Sequence, residues 1–231
     1  MKEKETRLAW DLHVTGTDDL FSTKELRLGP WTSYTLINDP KHLTFALSRY
    51  KFCAKMLAGK SNVLEAGCGD GFGAPIVAQA VDKLHCIDWD DRNTTGNRRR
   101  LSIFKNITFE TADLTVDNIS GKYDGTFNID VIEHLEPKHE KTFIENTVQC
   151  LSQQGVMIIG TPNETASSHA SAHGVHQHIN LKTADSLKSL MDNYFHNTFV
   201  FSMNDEMVHT GYYPMAHYLF AMGVGKNKTD T

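Results

Sequence analysis

Short apolar runs and helical stretches alternate along most of the chain. The apolar runs predict seven strands: Val63–Ala66, Leu84–Ile87, Ile107–Thr111, Tyr123–Ile129, Val156–Gly160, Thr198–Met203 and His217–Val224. Helical spacing predicts helices at Gly73–Val81, Asn93–Ile103, Lys138–Leu151 and Thr183–Phe195. This alternation is typical of an α/β fold, in which helices cover a parallel sheet.

A further helix precedes the first strand. Apolar residues recur at helical spacing after Pro40, which suits a first helical turn, and Gly59 is placed to end the helix. Asp39 is positioned to accept hydrogen bonds from backbone N–H groups of the first turn. The residues before it show little periodicity. We therefore predict an N-terminal arm or lid at residues 1–38 and one domain at residues 39–231.

The composition is that of one soluble domain. The 231 residues, 40% of them hydrophobic, suffice for a full core, and no apolar run approaches the roughly 20 residues of a membrane span. The chain start lacks the apolar segment of a secretion signal. The cysteines are scattered and form no Cys-x-x-Cys pair, which is typical of reduced thiols: Cys53, Cys68, Cys86 and Cys150. We therefore expect a cytoplasmic protein.

The most informative segment is a strand that runs into a glycine-rich turn, Glu65-Ala66-Gly67-Cys68-Gly69-Asp70-Gly71. Glycines let the backbone approach a ligand at the end of a strand, where α/β folds bind their ligands. Dinucleotide-binding folds share this pattern. However, Glu65 and Asp70 place negative charge where a pyrophosphate would lie, whereas a cationic ammonium or sulfonium meets no such conflict.

The next two predicted strands also end in acidic residues. Asp88 is placed to accept ribose hydroxyls, and Trp89 to lie on an adenine. Asp113 is placed to accept the adenine amino group, and Leu114 to pack on the ring. Each acid alone is better interpreted as a solvated strand end, but their succession favours a nucleoside site. The net charge of −5 also disfavours nucleic acid as a partner, because a basic face is then expected.

Together these segments resemble the ordered motifs of a known family. The pattern Glu65-x-Gly67-x-Gly69-x-Gly71, the two later acids and the run Asp130-Val131-Ile132-Glu133-His134-Leu135 are similar to class I S-adenosylmethionine-dependent methyltransferases, in particular the bacterial ubiquinone-biosynthesis O-methyltransferase type. The resemblance spans about residues 62–163. It implies S-adenosylmethionine as cofactor and a Rossmann-like, seven-stranded, mostly parallel sheet, with helices on both faces and an antiparallel last strand.

The resemblance also implies roles for individual residues in binding the cofactor. Arg49 is assigned to the methionine carboxylate, Glu65 to the amino group, and Gly67, Gly69, Asp70 and Gly71 to the methionine portion. Asp88 and Trp89 are assigned to the ribose and adenine, Asp113 and Leu114 to the adenine, and Ile129 and Asp130 to the lining of the site after the fourth strand.

Two histidines are candidates for catalysis. Methyl transfer to a hydroxyl benefits from a base, and an imidazole with a pKa near its ordinary value of about 6.5 suits that role. His134 follows the fourth strand with Glu133 beside it, and His178 precedes a helix at a position that lines the pocket in the family. For His134 a purely structural role in capping or packing the turn is an equally good interpretation.

The segment that contains His178 holds three more histidines: His169, His173 and His176. Such a cluster can indicate a metal site. No carboxylate or cysteine lies among these histidines, and class I methyltransferases need no metal for the displacement. We therefore expect a substrate-facing loop and no metal.

The acceptor is expected to be a small molecule or a sugar unit of a glycan precursor, methylated at oxygen. Two other functions stay open at this point. A nucleotide-dependent oxidoreductase or epimerase shares the glycine turn and the ribose-binding acid, although the Gly-x-Gly-x-x-Gly spacing fails at Phe72. A non-catalytic protein that kept the cofactor site is the third.

Overall fold

The computed structural model describes residues 25–169 and 177–227. Within them the helices are α1 (Pro30–Asn38), α2 (Pro40–Met56), α3 (Ala74–Ala78), α4 (Asp91–Arg100), α5 (Pro137–Gln149) and α6 (Ala184–Asp192). The strands are β1 (Asn62–Ala66), β2 (Lys83–Asp88), β3 (Ile107–Thr111), β4 (Tyr123–Ile129), β5 (Leu151–Pro162), β6 (Phe195–Asn204), β7 (Met207–His209) and β8 (Tyr218–Lys226). His173, His176 and the first 24 residues of the predicted arm lie outside the described residues.

The strands form one sheet in the order β3-β2-β1-β4-β5-β8-β6-β7. The first five in this order are parallel to one another, whereas β8 is antiparallel to both β5 and β6. The predicted α/β class and antiparallel last strand are therefore confirmed. The described residues form eight strands rather than the seven predicted, because β7 has three residues and is too short to show a period.

Helices cover both faces of the sheet, and each face has its own apolar layer. On one face, Phe52 of α2, Leu57 directly after α2 and Val77 of α3 are buried against the sheet. On the other face, Ile144 of α5 and Leu187 of α6 are buried. Strands β1 and β4 in the middle of the parallel part are buried almost throughout, which explains why their sequences read as short continuous apolar runs, whereas the edge strand β3 is largely exposed.

Several helix ends differ from the predicted ones. Helix α2 begins at Pro40 as predicted, but the Asp39 side chain makes no capping hydrogen bond. Helix α3 has five residues, far fewer than the predicted Gly73–Val81. Helix α6 begins with a reciprocal capping box between Thr183 and Ser186.

Helix α1 lies inside the predicted arm, where the sequence pattern gave no helix. Its N-terminal turn contains Pro30, and it packs on α2. The division of the chain after residue 38 stays a prediction. No helix among the described residues has both the length and the apolar character needed to cross a bilayer.

Candidate cofactor and active site

The glycine turn after β1 has the backbone conformation that its residues predict. Gly67, Gly69 and Gly71 have φ angles of +84°, +52° and +70°, in the left-handed region that favours glycine. A Cβ atom at Gly67 would also lie 2.5 Å from Cγ2 of Val131. Glycine is therefore required at Gly67 both for its φ angle and for the close approach of the turn to the segment after β4.

Three backbone N–H groups of this turn donate hydrogen bonds within the protein. The N–H groups of Gly67 and Cys68 both donate to the carbonyl oxygen of Ile87, at 2.8 and 3.0 Å. The N–H of Gly69 donates to Oδ2 of Asp88 at 2.8 Å. Helix α3, which follows the turn, is a single short element with Pro at its first turn. The amides of Gly67, Cys68 and Gly69 are therefore not free to hold a pyrophosphate, as those of dinucleotide-binding folds do.

Five of the predicted cofactor residues line one cleft at the carboxyl ends of β1, β2 and β3. They are Gly67, Asp88, Trp89, Asp113 and Leu114. The other residues that line it were not predicted from the sequence: Ile87, Ala112, Thr115, Val131, Leu135 and Phe143. Val131 and Leu135 belong to the motif after β4 and were within reach of sequence reasoning. Phe143 lies on α5 and carried no local signal.

The chemistry of this cleft fits an adenosyl group with a cationic substituent. Two carboxylates line the cleft, and none of its described lining residues is basic. Trp89 is 72% exposed and offers an aromatic face at the rim. Carboxylates accept hydroxyl and amino protons but repel phosphate. This lining therefore suits a nucleoside with a sulfonium better than a nucleotide with phosphates.

The two carboxylates of the cleft are held by local hydrogen bonds. Oδ1 of Asp88 accepts from the backbone N–H of Asp90 at 3.0 Å and from Nδ2 of Asn93 at 3.2 Å. Oδ1 of Asp113 accepts from the backbone N–H and the hydroxyl of Thr115 at 2.9 and 2.6 Å. Since each carboxylate has about four acceptor positions, both retain capacity for ligand donors.

Asp70 has a different environment from the one predicted. Its carboxylate accepts from the backbone N–H of Thr32 at 2.8 Å and from the Thr32 hydroxyl at 2.9 Å. Thr32 lies in the first turn of α1 and is buried. Asp70 therefore joins α1 to the glycine turn, a link that no local sequence signal revealed.

Glu65 is buried beneath α2 and is absent from the lining of the cleft. Burial raises its pKa to about 8, although hydrogen bonds with Tyr50 and Cys86 partly offset the effect. The Cys86 thiol donates to its Oε2 at 3.3 Å. With this pKa, the carboxyl group of Glu65 is mainly protonated at neutral pH.

Arg49 and Asp130 form a pair. Nη1 of Arg49 lies 2.6 Å from Oδ2 of Asp130, and the guanidinium lies over the ring of Tyr218, 4.0 Å from its centre. Asp130 has a φ of +56°, an uncommon value for a residue other than glycine. Arg49 is thus paired with a carboxylate at the end of β4. Ile129, which precedes Asp130, packs in the core beneath the sheet edge.

The structure brings the two predicted catalytic histidines together. The ring centres of His134 and His178 are 5.1 Å apart. His134 lies on a short 3₁₀ turn, Ile132–His134, that directly follows β4. The buried carboxyl group of Glu133 lies beside it and accepts from the Thr161 hydroxyl at 3.0 Å. Burial, followed by the charge of Asp130, raises the pKa of Glu133.

A cavity of about 760 Å³ lies apart from the cofactor cleft, between α1 and α4. It is lined by aromatic residues of α1 and by both acidic and basic residues of α4, including Trp31, Asp91 and Arg99. No residue lines both the cavity and the cleft. Its mixed charges do not indicate a ligand of one charge.

Two solved structures with a similar fold hold S-adenosylhomocysteine. The N-methyltransferase NodS of Bradyrhizobium japonicum, in complex with S-adenosylhomocysteine, aligns with 84% of this chain and 92% of its own, with a TM-score of 0.61 and 18% identity. The DhpI complex with S-adenosylhomocysteine aligns with 85% of this chain and 92% of its own, with a TM-score of 0.63 and 14% identity. The fold is thus that of Rossmann-like methyltransferases.

Sequence comparison gives the family. Residues 41–194 match the methyltransferase domain family, so the chain belongs to that family, and its cofactor is S-adenosylmethionine. A probable S-adenosylmethionine-dependent methyltransferase of Mycobacterium tuberculosis is 29% identical over 131 residues, which are 56% of this chain and 46% of the relative. One from Mycolicibacterium smegmatis is 31% identical over 119 residues, 52% of this chain and 44% of the relative. The chain thus spans about half the length of these relatives. Its similarity to the ubiquinone-biosynthesis type stays a prediction.

Proposed function

We propose that the protein transfers the methyl group of S-adenosylmethionine to an oxygen of a small molecule or of a sugar unit in a glycan precursor. The observation that carries the cofactor part is the cleft beside the glycine turn, which holds Asp88 and Asp113 and whose described lining has no basic residue. The observation that supports an oxygen acceptor is the pair of imidazoles, His134 after β4 and His178 after β5, next to the buried carboxyl group of Glu133.

In this proposal the protein acts chiefly by positioning. When bound, the cofactor supplies a methyl carbon activated by a positive sulfur, so no covalent enzyme intermediate is needed. Asp88 and Asp113 accept the hydroxyl and amino protons of the adenosine, and Trp89 packs on its ring. The left-handed glycines bring the backbone close to the methionine portion. The contribution to rate comes from alignment and from the exclusion of water.

His134 is proposed to accept the proton of the acceptor hydroxyl. Its Nδ1 lies 3.1 Å from the backbone carbonyl oxygen of Gln177, and since a carbonyl only accepts, Nδ1 carries the hydrogen. Nε2 therefore has the lone pair that a general base needs. Nε2 lies 3.9 Å from Oε1 of Glu133, which is too far for a hydrogen bond, so the carboxyl group of Glu133 does not occupy this lone pair. His178 is proposed as a second polar contact for the same acceptor.

Calorimetric titration tests the cofactor site. We expect micromolar binding of S-adenosylhomocysteine, no binding of NAD, and weaker binding of S-adenosylhomocysteine by the Asp88→Ala variant. Asp82→Ala is the matched control, because Asp82 is an exposed aspartate that precedes β2 and does not line the cleft. If wild-type protein binds NAD and not S-adenosylhomocysteine, the proposal is wrong.

A screen of small-molecule and sugar acceptors with tritiated S-adenosylmethionine tests the reaction. With an acceptor in hand, His134→Ala is expected to lower kcat by about 10²–10⁴ and to leave S-adenosylhomocysteine affinity nearly unchanged, as for the loss of a general base. An unchanged kcat would remove His134 from the mechanism, and a product methylated at nitrogen would contradict the oxygen assignment.

A further inference from the structure

We propose that Glu133, His134 and His178 form a binding site for a divalent transition-metal cation. Each residue offers one donor atom, and the three donor atoms lie within 4.8 Å of one another. Two imidazole nitrogens and one carboxylate oxygen are a common ligand set for Zn²⁺, and also suit Mn²⁺ and other first-row cations. This site is distinct from the lining of the cofactor cleft, to which none of the three residues belongs.

The strongest support comes from the carboxyl group of Glu133. The residue is fully buried, and its Oε1 has no hydrogen-bond partner among the described residues. Its other oxygen, Oε2, accepts from the Thr161 hydroxyl at 3.0 Å, so the group is fixed with Oε1 directed towards Nε2 of His134, 3.9 Å away. A buried acceptor without a partner is costly, and a bound cation would satisfy it.

His134 has the tautomer that a metal ligand requires. Because Nδ1 donates to the carbonyl oxygen of Gln177, Nε2 carries the lone pair of the neutral ring, and it lies 3.9 Å from Oε1 of Glu133. Histidines that bind metals almost always donate the second ring N–H to a carbonyl or carboxylate, which fixes the orientation of the ring. The backbone at Gln177 therefore already supplies the outer partner of this ligand.

The third ligand is brought to the site by backbone hydrogen bonds. The N–H groups of Ile179 and Asn180 donate to the carbonyl oxygen of Glu133 at 2.8 and 3.0 Å. Nδ2 of Asn180 also donates to the carbonyl oxygen of Ile132 at 3.2 Å. These bonds hold the segment containing His178 against the turn that carries Glu133. The site is thus built from two distant parts of the chain.

The geometry fits a cation that is bound by three protein ligands and has at least one open coordination position. A cation about 2.1 Å from each of three donors needs donor separations of roughly 3–4 Å, so small rotations of the imidazoles complete the site. Three protein ligands leave at least one position for water or another oxygen. Because His134 is exposed, that position is accessible from solvent.

A bound cation would change how the acceptor hydroxyl loses its proton in the proposed function. This consequence alone rests on that function. Nε2 of His134 has one lone pair and would then hold the cation rather than take a proton. An acceptor hydroxyl bound to the open coordination position would release its proton to solvent water more readily, since a cation lowers the pKa of a bound oxygen. Binding of the cation itself does not depend on methyl transfer.

The test is a calorimetric titration of the full chain, freed of metals by a chelator that is then removed, with ZnCl₂ and separately with MnCl₂ at neutral pH. We expect one equivalent of Zn²⁺ to bind. His134→Ala, His178→Ala and Glu133→Gln are each expected to weaken this binding at least tenfold, and Thr161→Val, which removes the outer partner of Glu133, about tenfold. S-adenosylhomocysteine binding by the same preparations shows that each variant is folded and reports the cofactor cleft separately.

The matched control is His139→Ala, because His139 lies on α5 and does not belong to the cluster. Its Zn²⁺ affinity is expected to equal that of the wild type. Two results overturn the proposal. The first is wild-type protein that binds S-adenosylhomocysteine but neither cation. The second is Zn²⁺ binding that all three ligand variants retain, since the cation would then lie elsewhere.

Discussion

Acidic side chains near the strand ends of this protein look alike in sequence but have different partners. Asp88 and Asp113 line the cofactor cleft, whereas Asp70 holds helix α1 through Thr32. Glu65 is buried beneath α2, with its pKa raised to about 8. The role of each carboxylate follows from the donors that the fold places around it, so equal residue types at equal positions along successive strands do not imply equal roles.

Gly67→Ala tests the geometry of the glycine turn. At φ +84° an alanine costs roughly 1–2 kcal/mol, and its Cβ would lie 2.5 Å from Val131, which adds about 1–3 kcal/mol of overpacking. We therefore expect the free energy of unfolding, measured in urea, to fall by about 2–5 kcal/mol. S-adenosylhomocysteine affinity is expected to fall as well, because the turn must shift.

Gly59→Ala is the control for this prediction. Gly59 has a similar φ of +78°, but a Cβ there would meet no atom within 4 Å. The expected loss is therefore only the conformational cost of roughly 1–2 kcal/mol, with unchanged affinity for S-adenosylhomocysteine. Equal losses at Gly59 and Gly67 would show that the contact with Val131 does not matter.

Glu65→Gln tests the buried carboxyl group through the pH dependence of stability. The folded protein holds this proton up to about pH 8, while the unfolded chain releases it near 4.5. Between these values the folded state binds more protons, so Glu65 makes stability fall as pH rises, and the effect is complete above about pH 8. A glutamine does not titrate. We therefore expect the stability of Glu65→Gln relative to wild type to increase with pH across this window.

Urea unfolding of wild type and variant at several pH values provides the measurement. The difference between the two proteins isolates Glu65, because the raised pKa of Glu133 contributes equally to both. A difference that is constant from pH 5 to pH 8 would show that Glu65 has an ordinary pKa in the folded protein.

At the scale of elements, α1 is attached to the cofactor site by few contacts. The Thr32 backbone N–H and hydroxyl both bind Asp70 in the glycine turn, at 2.8 and 2.9 Å. Much of the rest of α1 is exposed, including Trp31, which is 60% exposed. The position of this helix over the turn therefore depends on a short polar link rather than on a large apolar contact.

Thr32→Val removes one of the two hydrogen bonds of this link. A hydrogen bond to a charged group contributes about 1.5–3 kcal/mol, so local opening of α1 should become about 10–100 times more frequent. Hydrogen exchange of the α1 amides is expected to accelerate accordingly, while exchange in β1 and β4 stays unchanged. Thr35→Val on the same helix is the matched control and should leave exchange of these amides as in the wild type.

Another link joins three elements at the end of β4. Arg49 of α2 pairs with Asp130 after β4 and lies over the ring of Tyr218 on β8. Because β8 is antiparallel to β5, its first residues reach the same sheet edge as the last residues of the parallel strands. The antiparallel strand thus supplies a side chain to the edge at which the ligand cleft lies.

At the scale of the whole molecule, the cleft lies at the carboxyl ends of parallel strands, where α/β proteins bind ligands. Ligand binding should therefore stabilise the entire cooperative fold. At a concentration 100 times its Kd, S-adenosylhomocysteine adds about 2.7 kcal/mol to the free energy of unfolding. For a chain of this size we expect Tm to rise by roughly 5–10 °C.

Thermal unfolding monitored by circular dichroism checks this expectation. NAD at the same concentration should leave Tm unchanged, and Asp88→Ala should show a smaller rise with S-adenosylhomocysteine than the wild type does. A rise confined to probes of α1, with no change in the main transition, would show that the ligand stabilises a single element rather than the fold.

Much of the fold followed from local patterns in the sequence. The strands of a parallel sheet lie between two apolar layers, so they appear as short continuous apolar runs, and the glycines of the turn mark left-handed backbone. These signals are local, and they predicted the α/β class, the glycine turn and the acids Asp88 and Asp113 at the cleft. The three-residue strand β7 and helix α1 were missed, because neither carries a sufficiently long apolar period.

What the sequence left open depends on contacts between distant residues. The partner of Asp70 is 38 positions away, and Arg49 and Asp130 are 81 positions apart. The sequence of residues 169–178 contains histidines but no carboxylate. The fold, however, brings Glu133, which follows β4, close to His178. Charge, burial and hydrogen-bond partners are set by the surrounding residues. The sequence by itself determined the kind of fold and cofactor, and the tertiary structure decided which side chains meet at its edge.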